Sequence, residues 1–152
     1  MNPQLNLLDH LARERTAEWW SLLRQNSLAY LQHCAHEAQV TAGWWTDMRT
    51  GADMRLQNEE GKPGFNVAEK LCLIHSEVSE ALEGHRKGMC DTHLPHRPAI
   101  EVELADALIR ILDLAGGLQL DLAGAFVEKM AYNAKRADHK LAERQKEGGK
   151  AF

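Results

Sequence analysis

The chain has 152 residues, of which 44% are hydrophobic and 26% are charged. This length fits one ordinary domain, and the apolar content suffices for one buried core, which excludes a disordered tail. Eighteen basic and 22 acidic residues give a formal net charge of −4, which argues against broad electrostatic capture of nucleic acid or an anionic membrane. We predict a single domain over residues 1–152.

Cysteine usage and the amino terminus point to the compartment. The 3 cysteines form no C-x-x-C pair, so they favour neither a zinc ribbon nor a disulfide framework and suit a reducing cytoplasm. The first residues lack the apolar stretch of a signal peptide, and no run of about 18 apolar residues occurs. We expect a cytoplasmic protein without a membrane span.

The fold class follows from residue type and periodicity. β-Branched residues are scarce, while leucine, alanine, glutamate and lysine dominate the long segments, so we predict an all-α helical bundle. A short helix is expected at about 5–14 and a longer one at about 16–39. Residues 41–65 hold several glycines and no sustained period, which predicts a loop or a broken helix.

Three further helices are predicted in the second half of the chain. Asn66 caps the first, which ends near Gly84 or Gly88, and its buried stripe is Val67, Leu71, Ile74, Val78 and Leu82. After a loop at 89–98, Pro98 opens the next, which ends at residues 116–117, with the stripe Ile100, Leu104, Ala107, Leu108, Ile111 and Leu112. Asp121 caps the last, which is expected to run to Arg144.

Two acidic pairs stand on the two central helices. Glu77 and Glu80 are three residues apart, as are Glu103 and Asp106, so each pair shares one helical face. Antiparallel packing would bring the four carboxylates together, and their repulsion would raise their pKa values unless a divalent cation neutralised them. Oxygen donors without histidine or thiolate favour Mg²⁺ or Mn²⁺ over Zn²⁺. The alternative is an ordinary solvated acidic face.

Other metal chemistries fit the sequence less well. A ferritin-like di-iron site needs Glu-x-x-His, and no glutamate here is followed by histidine at that spacing. A helical HD-type phosphohydrolase needs His-Asp, whereas Asp138 precedes His139. Isolated histidines and a thiol (His33, Cys34, His36, His93 and His96) are expected to be exposed side chains.

A basic face is predicted on the last helix. Lys129, Asn133 and Arg136 fall at i, i+4 and i+7, so they line up on one side. Lysine and arginine donate to phosphate oxygens, and an asparagine amide can reach a phosphate, sugar or base. The same pattern is common on ordinary solvated helices.

Three motifs follow one another along the chain: Glu77-Val-Ser-Glu80, Glu103-Leu-Ala-Asp106 and the run Lys129 to Arg136. In their order and spacing they resemble the motifs of the MazG-like, all-α nucleotide pyrophosphohydrolase superfamily. The resemblance covers about residues 66–136, which would form the core of the domain. Many members have E-E-x-x-E, whereas Ser76 takes the first position here. The closing sequence GGKAF is similar to the tail of some small members.

The resemblance implies an activity. Glu77, Glu80, Glu103 and Asp106 would hold Mg²⁺, with Mn²⁺ as a substitute, and one of the glutamates would act as general base. Residues Lys129, Asn133 and Arg136 would contact a nucleoside triphosphate that is cleaved to the monophosphate and pyrophosphate. Neither the base nor the sugar can be read from these motifs.

Secondary candidates complete the expected site. Trp44 and Trp45, in the glycine-rich loop, are candidates for stacking on a base, although core packing is the commoner role of such residues. Lys87 follows the first acidic pair and could assist the phosphates. The family builds its bundle by association, so we expect a homodimer or homotetramer. The alternative function is a helical nucleotide- or protein-binding module with a degenerate site.

Overall fold

A computed structural model describes residues 16–56, 61 and 64–148. The described residues form five α-helices and no strand, so the all-α prediction is confirmed for this part of the chain. The helices are α1 (Ala17–Thr41), α2 (Val67–Lys87), α3 (Ala99–Gly117), α4 (Leu122–Lys135) and α5 (Leu141–Arg144), with a 3-10 turn at Ala137–His139. The helix predicted at 5–14 and the last four residues of the tail lie outside the described residues.

The described chain groups into two compact units. Residues 16–29 and 121–148 belong to one, and residues 30–120, with α2 and α3, belong to the other. None of the described helices is both long and apolar enough to cross a lipid bilayer. Cys34, Cys72 and Cys90 are free thiols.

Helix ends follow local chemistry. Asn66 Oδ1 accepts hydrogen bonds from the amides of Ala68 and Glu69, which fixes the start of α2. Gly88 adopts the left-handed conformation (φ 61°) just past its end, where its amide donates to the carbonyl of His85. Asp121 Oδ1 accepts from the amide of Gly124 at the start of α4. The predicted caps are therefore confirmed.

Helices α2 and α3 form the centre of the larger unit and run antiparallel. Gly84 lies against Ala99 near one end of the pair, and Glu77 pairs with Arg110 farther along it. A Cβ on Gly84 would come within 2.7 Å of the Ala99 Cβ, so small side chains set the close approach of the helices.

The apolar stripes predicted as buried on these helices are partly wrong. On α2, Leu71, Val78 and Leu82 are about half exposed, and on α3 Leu104 and Leu108 are too. The buried apolar side chains of this unit are Trp45, Ala81, Ala99, Ala107, Leu112, Leu114 and Ala115. Gly84 and Ala99 meet where the helices approach closely, and the half-exposed leucines lie outside that seam.

The prediction for the last helix is also corrected. Helix α4 ends at Lys135, nine residues before the expected end, because Arg136 takes an extended conformation (φ −64°, ψ 132°). Arg136 Nε donates to Asp138 Oδ1 at 2.9 Å, and this local ion pair holds the turn. The chain continues as the 3-10 turn and α5.

Candidate functional site

The acidic residues of α2 and α3 converge. Glu77, Glu80 and Glu103 each offer one carboxylate oxygen, and these oxygens lie within 4.8 Å of one another. One helical turn separates Glu77 from Glu80, and the antiparallel partner supplies Glu103. We call these three residues the acidic cluster. Among the described residues, Asp106 is not part of the acidic cluster, although Asp106 lies one turn beyond Glu103 on the same helix.

Glu77 is the most buried member of the acidic cluster. Only 6% of the residue is exposed, and its Oε1 lies 2.6 Å from Nε of Arg110. A buried carboxylate needs a partner because the loss of hydration penalises its charge. Arg110, one turn beyond Asp106 on α3, supplies that partner and fixes the Glu77 side chain.

Burial and neighbouring negative charges raise the pKa of two carboxylates in and beside the acidic cluster. Burial, followed by the charges of Glu80 and Glu77, raises the pKa of Glu103 above its ordinary value. The pKa of Asp106 is raised by burial and by Glu77, against an opposing effect of Arg110. Asp91, in the loop between α2 and α3, adds a smaller negative contribution to both.

The chemistry of the donors fits a hard divalent cation. All three residues of the acidic cluster offer oxygen, and no histidine or cysteine belongs to the group among the described residues. Carboxylate oxygens are the ligands that Mg²⁺ and Mn²⁺ prefer, and a cation would relieve the repulsion that raises the carboxylate pKa values. The cluster could therefore hold a metal ion, and its donors do not single out magnesium.

A cavity of about 400 Å³ lies on the same face of α3. Asp106 and Arg110 line it, so it adjoins the residues that surround the acidic cluster. Its lining residues are Gln39, Trp44, Lys70, Leu73, Asp106, Ile109, Arg110 and Asp113. The mixture of one indole ring, two aliphatic side chains and several charged groups is typical of a small-molecule site.

The two candidate tryptophans occupy different environments. Trp44 lines the cavity and is 67% exposed. Trp45 is 2% exposed, and its Nε1 donates to Asp113 Oδ1 at 2.8 Å. Trp45 is thus a core residue, and base stacking stays a prediction for the exposed ring of Trp44.

His36 is a correction to the expectation that the isolated histidines are exposed. It is partly buried, and its Nδ1 lies 2.8 Å from Asp113 Oδ1, the same atom that Trp45 contacts. His33, Cys34, His93 and His96 are exposed, as expected.

The predicted phosphate-binding residues belong to the unit of residues 121–148. Lys129 Nζ lies 5.0 Å from the ring centroid of Tyr132, and Arg136 Cζ lies 5.9 Å from the same centroid. Both cationic groups therefore contact one aromatic ring. Asn133 Oδ1 is buried and has no hydrogen-bond partner among the described residues. Arg136 lies just past the helix, so the three do not share one regular helical face.

The remaining candidates make local contacts. Lys87, the last residue of α2, pairs with Glu83 at 2.6 Å and is exposed. Ser76, at the position of the missing family glutamate, donates its hydroxyl to the carbonyl of Leu73. Asp138 of the reversed His-Asp pattern is bound to Arg136.

Sequence reasoning missed Arg110, Asp113 and Lys70. A signal for two of them was present, because Asp106, Arg110 and Asp113 recur at i, i+4 and i+7 and therefore share a face of α3. Lys70 lies on α2, with its Nζ 4.3 Å from the centroid of the Trp45 ring, a contact between distant segments.

Comparison with known proteins gives no identification: no protein-family model, curated protein or solved structure matches this chain. The resemblance to the MazG-like superfamily rests on its three motifs alone and stays a prediction. The acidic cluster and the cavity beside it are the features that bear on function.

Proposed function

We propose that the protein is a magnesium-dependent nucleoside triphosphate pyrophosphohydrolase of the MazG-like type, with Mn²⁺ as a possible substitute, acting in the cytoplasm. The observation that carries the proposal is that Glu77, Glu80 and Glu103 converge from two helices. The cavity beside them has a mixed apolar and charged lining that would suit a nucleotide. A purely structural helix pair gains nothing from bringing repelling carboxylates together. Asp106 would complete the metal-binding set.

The proposed reaction gives the monophosphate and pyrophosphate. A bound Mg²⁺ would neutralise the triphosphate charge and lower the pKa of the attacking water. Arg110 holds Glu77 in place, so that the cluster keeps its geometry before substrate arrives. One of the three glutamates would accept the proton of the water.

Basic side chains would bind the phosphates. Lys129, Asn133 and Arg136 would supply the donors, as the resemblance implies, with the Asn133 side-chain amide as one of them. Lys87 would play a lesser part because Glu83 already neutralises it. Trp44 is the better placed of the two tryptophans to stack on a base, since its exposed ring lines the cavity.

Association of copies belongs to the same proposal. Leucine and valine side chains of α2 and α3 remain half exposed beside the seam, and apolar stripes of this kind are usually covered by a partner. We propose a homodimer or a homotetramer in which a second copy covers them.

The activity is tested by incubating the protein with Mg²⁺ and each nucleoside triphosphate while monophosphate, diphosphate, pyrophosphate and orthophosphate are resolved by chromatography. Equal amounts of monophosphate and pyrophosphate are expected. Release of diphosphate with orthophosphate would contradict the proposed bond cleavage. Nucleotide binding without turnover would favour the helical binding module with a degenerate site.

Substitution of the carboxylates assigns the site. Glu80→Gln and Asp106→Asn should each lower kcat/KM by about 100-fold or more, because each removes a charge that holds the cation. Glu101→Gln is the matched control, since Glu101 lies on α3 in an exposed ion pair with Arg97 and outside the acidic cluster. Circular dichroism should show unchanged helix content. Undiminished turnover in both carboxylate variants would remove the metal-site assignment.

A further inference from the structure

The cavity beside the acidic cluster contains a second, separate carboxylate. Asp113 lines the cavity although the residue is only 6% exposed. It lies on α3, two turns beyond Asp106, and is not a member of the acidic cluster. A buried carboxylate at a cavity wall is costly unless it has hydrogen-bond donors to accept from.

Among the described residues, hydrogen-bond partners reach only one oxygen of this carboxylate. Trp45 Nε1 and His36 Nδ1 both lie 2.8 Å from Oδ1 of Asp113. Its Oδ2 takes part in no hydrogen bond with any described residue. The tryptophan and the histidine fix the carboxylate in one orientation, and Oδ2 is left as an acceptor for a molecule in the cavity.

We propose that Asp113 determines base specificity by accepting a hydrogen bond from the exocyclic amino group of the nucleotide base. The site then prefers cytosine or adenine nucleotides over those of uracil or thymine. This inference rests on the proposed function, since it assumes that the cavity takes the base of the nucleotide.

The layout along α3 supports this orientation. Asp106, Arg110 and Asp113 all line the cavity, and Asp106 and Asp113 are about 10 Å apart along the helix axis. The end at Asp106 is next to the acidic cluster and suits the phosphates. The other end suits the base, and Trp44, Leu73 and Ile109 supply the apolar part of the cavity lining.

The chemistry of the carboxylate sets the preference. The amino groups of cytosine and adenine are donors, whereas uracil and thymine present a carbonyl oxygen at the corresponding position. A carbonyl there would face the Asp113 carboxylate with no proton between the two oxygens. A site built to accept from an N–H group rejects an analogue that lacks it, because its buried acceptor is then unpaired.

The test compares kcat/KM for dCTP and dATP with that for dUTP and dTTP. The wild-type protein should favour the amino-bearing substrates by about tenfold or more. Asp113→Asn keeps an acceptor for Trp45 and adds an N–H donor, so it should reduce or reverse this ratio by about tenfold. Glu101→Gln is the matched control: it removes an exposed carboxylate of the same helix that does not line the cavity, so it should leave the ratio unchanged.

Calorimetric binding of dCMP and dUMP separates this inference from the proposed function. Tighter binding of dCMP by the wild-type protein, lost in Asp113→Asn, supports the role of Asp113 even if no triphosphate is hydrolysed. The role of Asp113 would be overturned if the wild-type protein bound dCMP and dUMP equally or bound neither. It would also be overturned if Asp113→Asn left the ratio of kcat/KM between amino-bearing and carbonyl-bearing substrates unchanged. A loss of kcat/KM in Asp113→Asn that is equal for all four nucleotides would likewise show that Asp113 has a merely structural role.

Discussion

At the scale of single residues, Trp45 attaches the glycine-rich loop to α3. Its indole N–H donates a hydrogen bond to Asp113, and its ring contacts the Phe65 ring edge-on, with ring centroids 4.7 Å apart. The ring also packs directly on the backbone of Gly117, the last residue of α3. The loop that carries Trp44 to the cavity is thus held by one buried side chain.

Gly117→Ala should destabilise the protein. A Cβ at this position would collide with the Trp45 ring, with Cζ2 only 2.7 Å away, and a buried indole has no room to move aside. Overpacking of this kind costs about 1–3 kcal/mol, so the free energy of unfolding measured in urea should fall by that amount.

Helix propensity alone predicts the opposite result. Alanine is favoured over glycine in a helix by about 1 kcal/mol, so Gly117→Ala would stabilise a helix end that was free of contacts. Ala105→Gly, at an exposed position of the same helix, measures that propensity effect separately. Stabilisation by Gly117→Ala would contradict the packing of Trp45 on this glycine.

At the scale of helices, α2 and α3 carry an electrostatic penalty at their seam. Glu103 and Asp106 both have raised pKa values, so they bind protons more tightly in the folded protein than in the unfolded chain. The free energy of unfolding therefore falls as pH rises from the ordinary carboxyl range through the raised folded values. Below that range both states are protonated, and the penalty disappears.

Divalent cation should reverse this penalty. We expect Mg²⁺ or Mn²⁺ to raise the Tm at pH 7 and to have little effect near pH 4, where protonated carboxyls do not bind metal. Glu103→Gln should raise the Tm in the absence of divalent cation, because it removes one repelling charge, and should reduce the increment that the cation gives. Differential scanning calorimetry with and without EDTA measures both effects.

The control for this experiment is Glu101→Gln on the same helix. Its exposed pair with Arg97 contributes little to stability, so the cation-induced increment should match that of the wild type. An increment that survives in Glu103→Gln, or that does not depend on pH, would show that the cation acts elsewhere.

The features that could be predicted from sequence are those set by local chemistry. Asn66, Gly88 and Asp121 fix helix ends through hydrogen bonds or backbone conformations within a few residues, and the Glu77 and Glu80 spacing fixes a shared face. Periodicity alone could not tell which apolar residues enter the seam. The close approach of Gly84 and Ala99 selects small side chains and leaves leucines such as Leu82 and Leu104 half exposed.

Other features depend on contacts between distant segments. The bonds from Asp113 to His36 and Trp45 span 77 and 68 residues, so no local pattern indicates that this carboxylate is buried and oriented. The early end of α4 reflects the ion pair of Arg136 with Asp138, which competes with a helix that propensity would continue.

At the scale of the whole molecule, exposed apolar side chains favour association. Leu71, Val78 and Leu82 recur at seven and four residues along α2, and Leu104 and Leu108 continue the pattern on α3. Each set forms a stripe along its helix, as in helices that pack against a partner. Burial of such side chains contributes about 25 cal/mol per Å² of apolar surface toward self-association.

Sedimentation equilibrium should therefore give a mass at least twice that of one chain. Leu108→Glu should weaken association by about tenfold or more, because it would bury an unpaired charge in the interface. Leu56→Glu is the matched control, since Leu56 is an exposed leucine as well but lies in a loop outside α2 and α3. A wild-type protein that sediments as a monomer would contradict the association. Equal weakening by both substitutions would place the interface away from these helices.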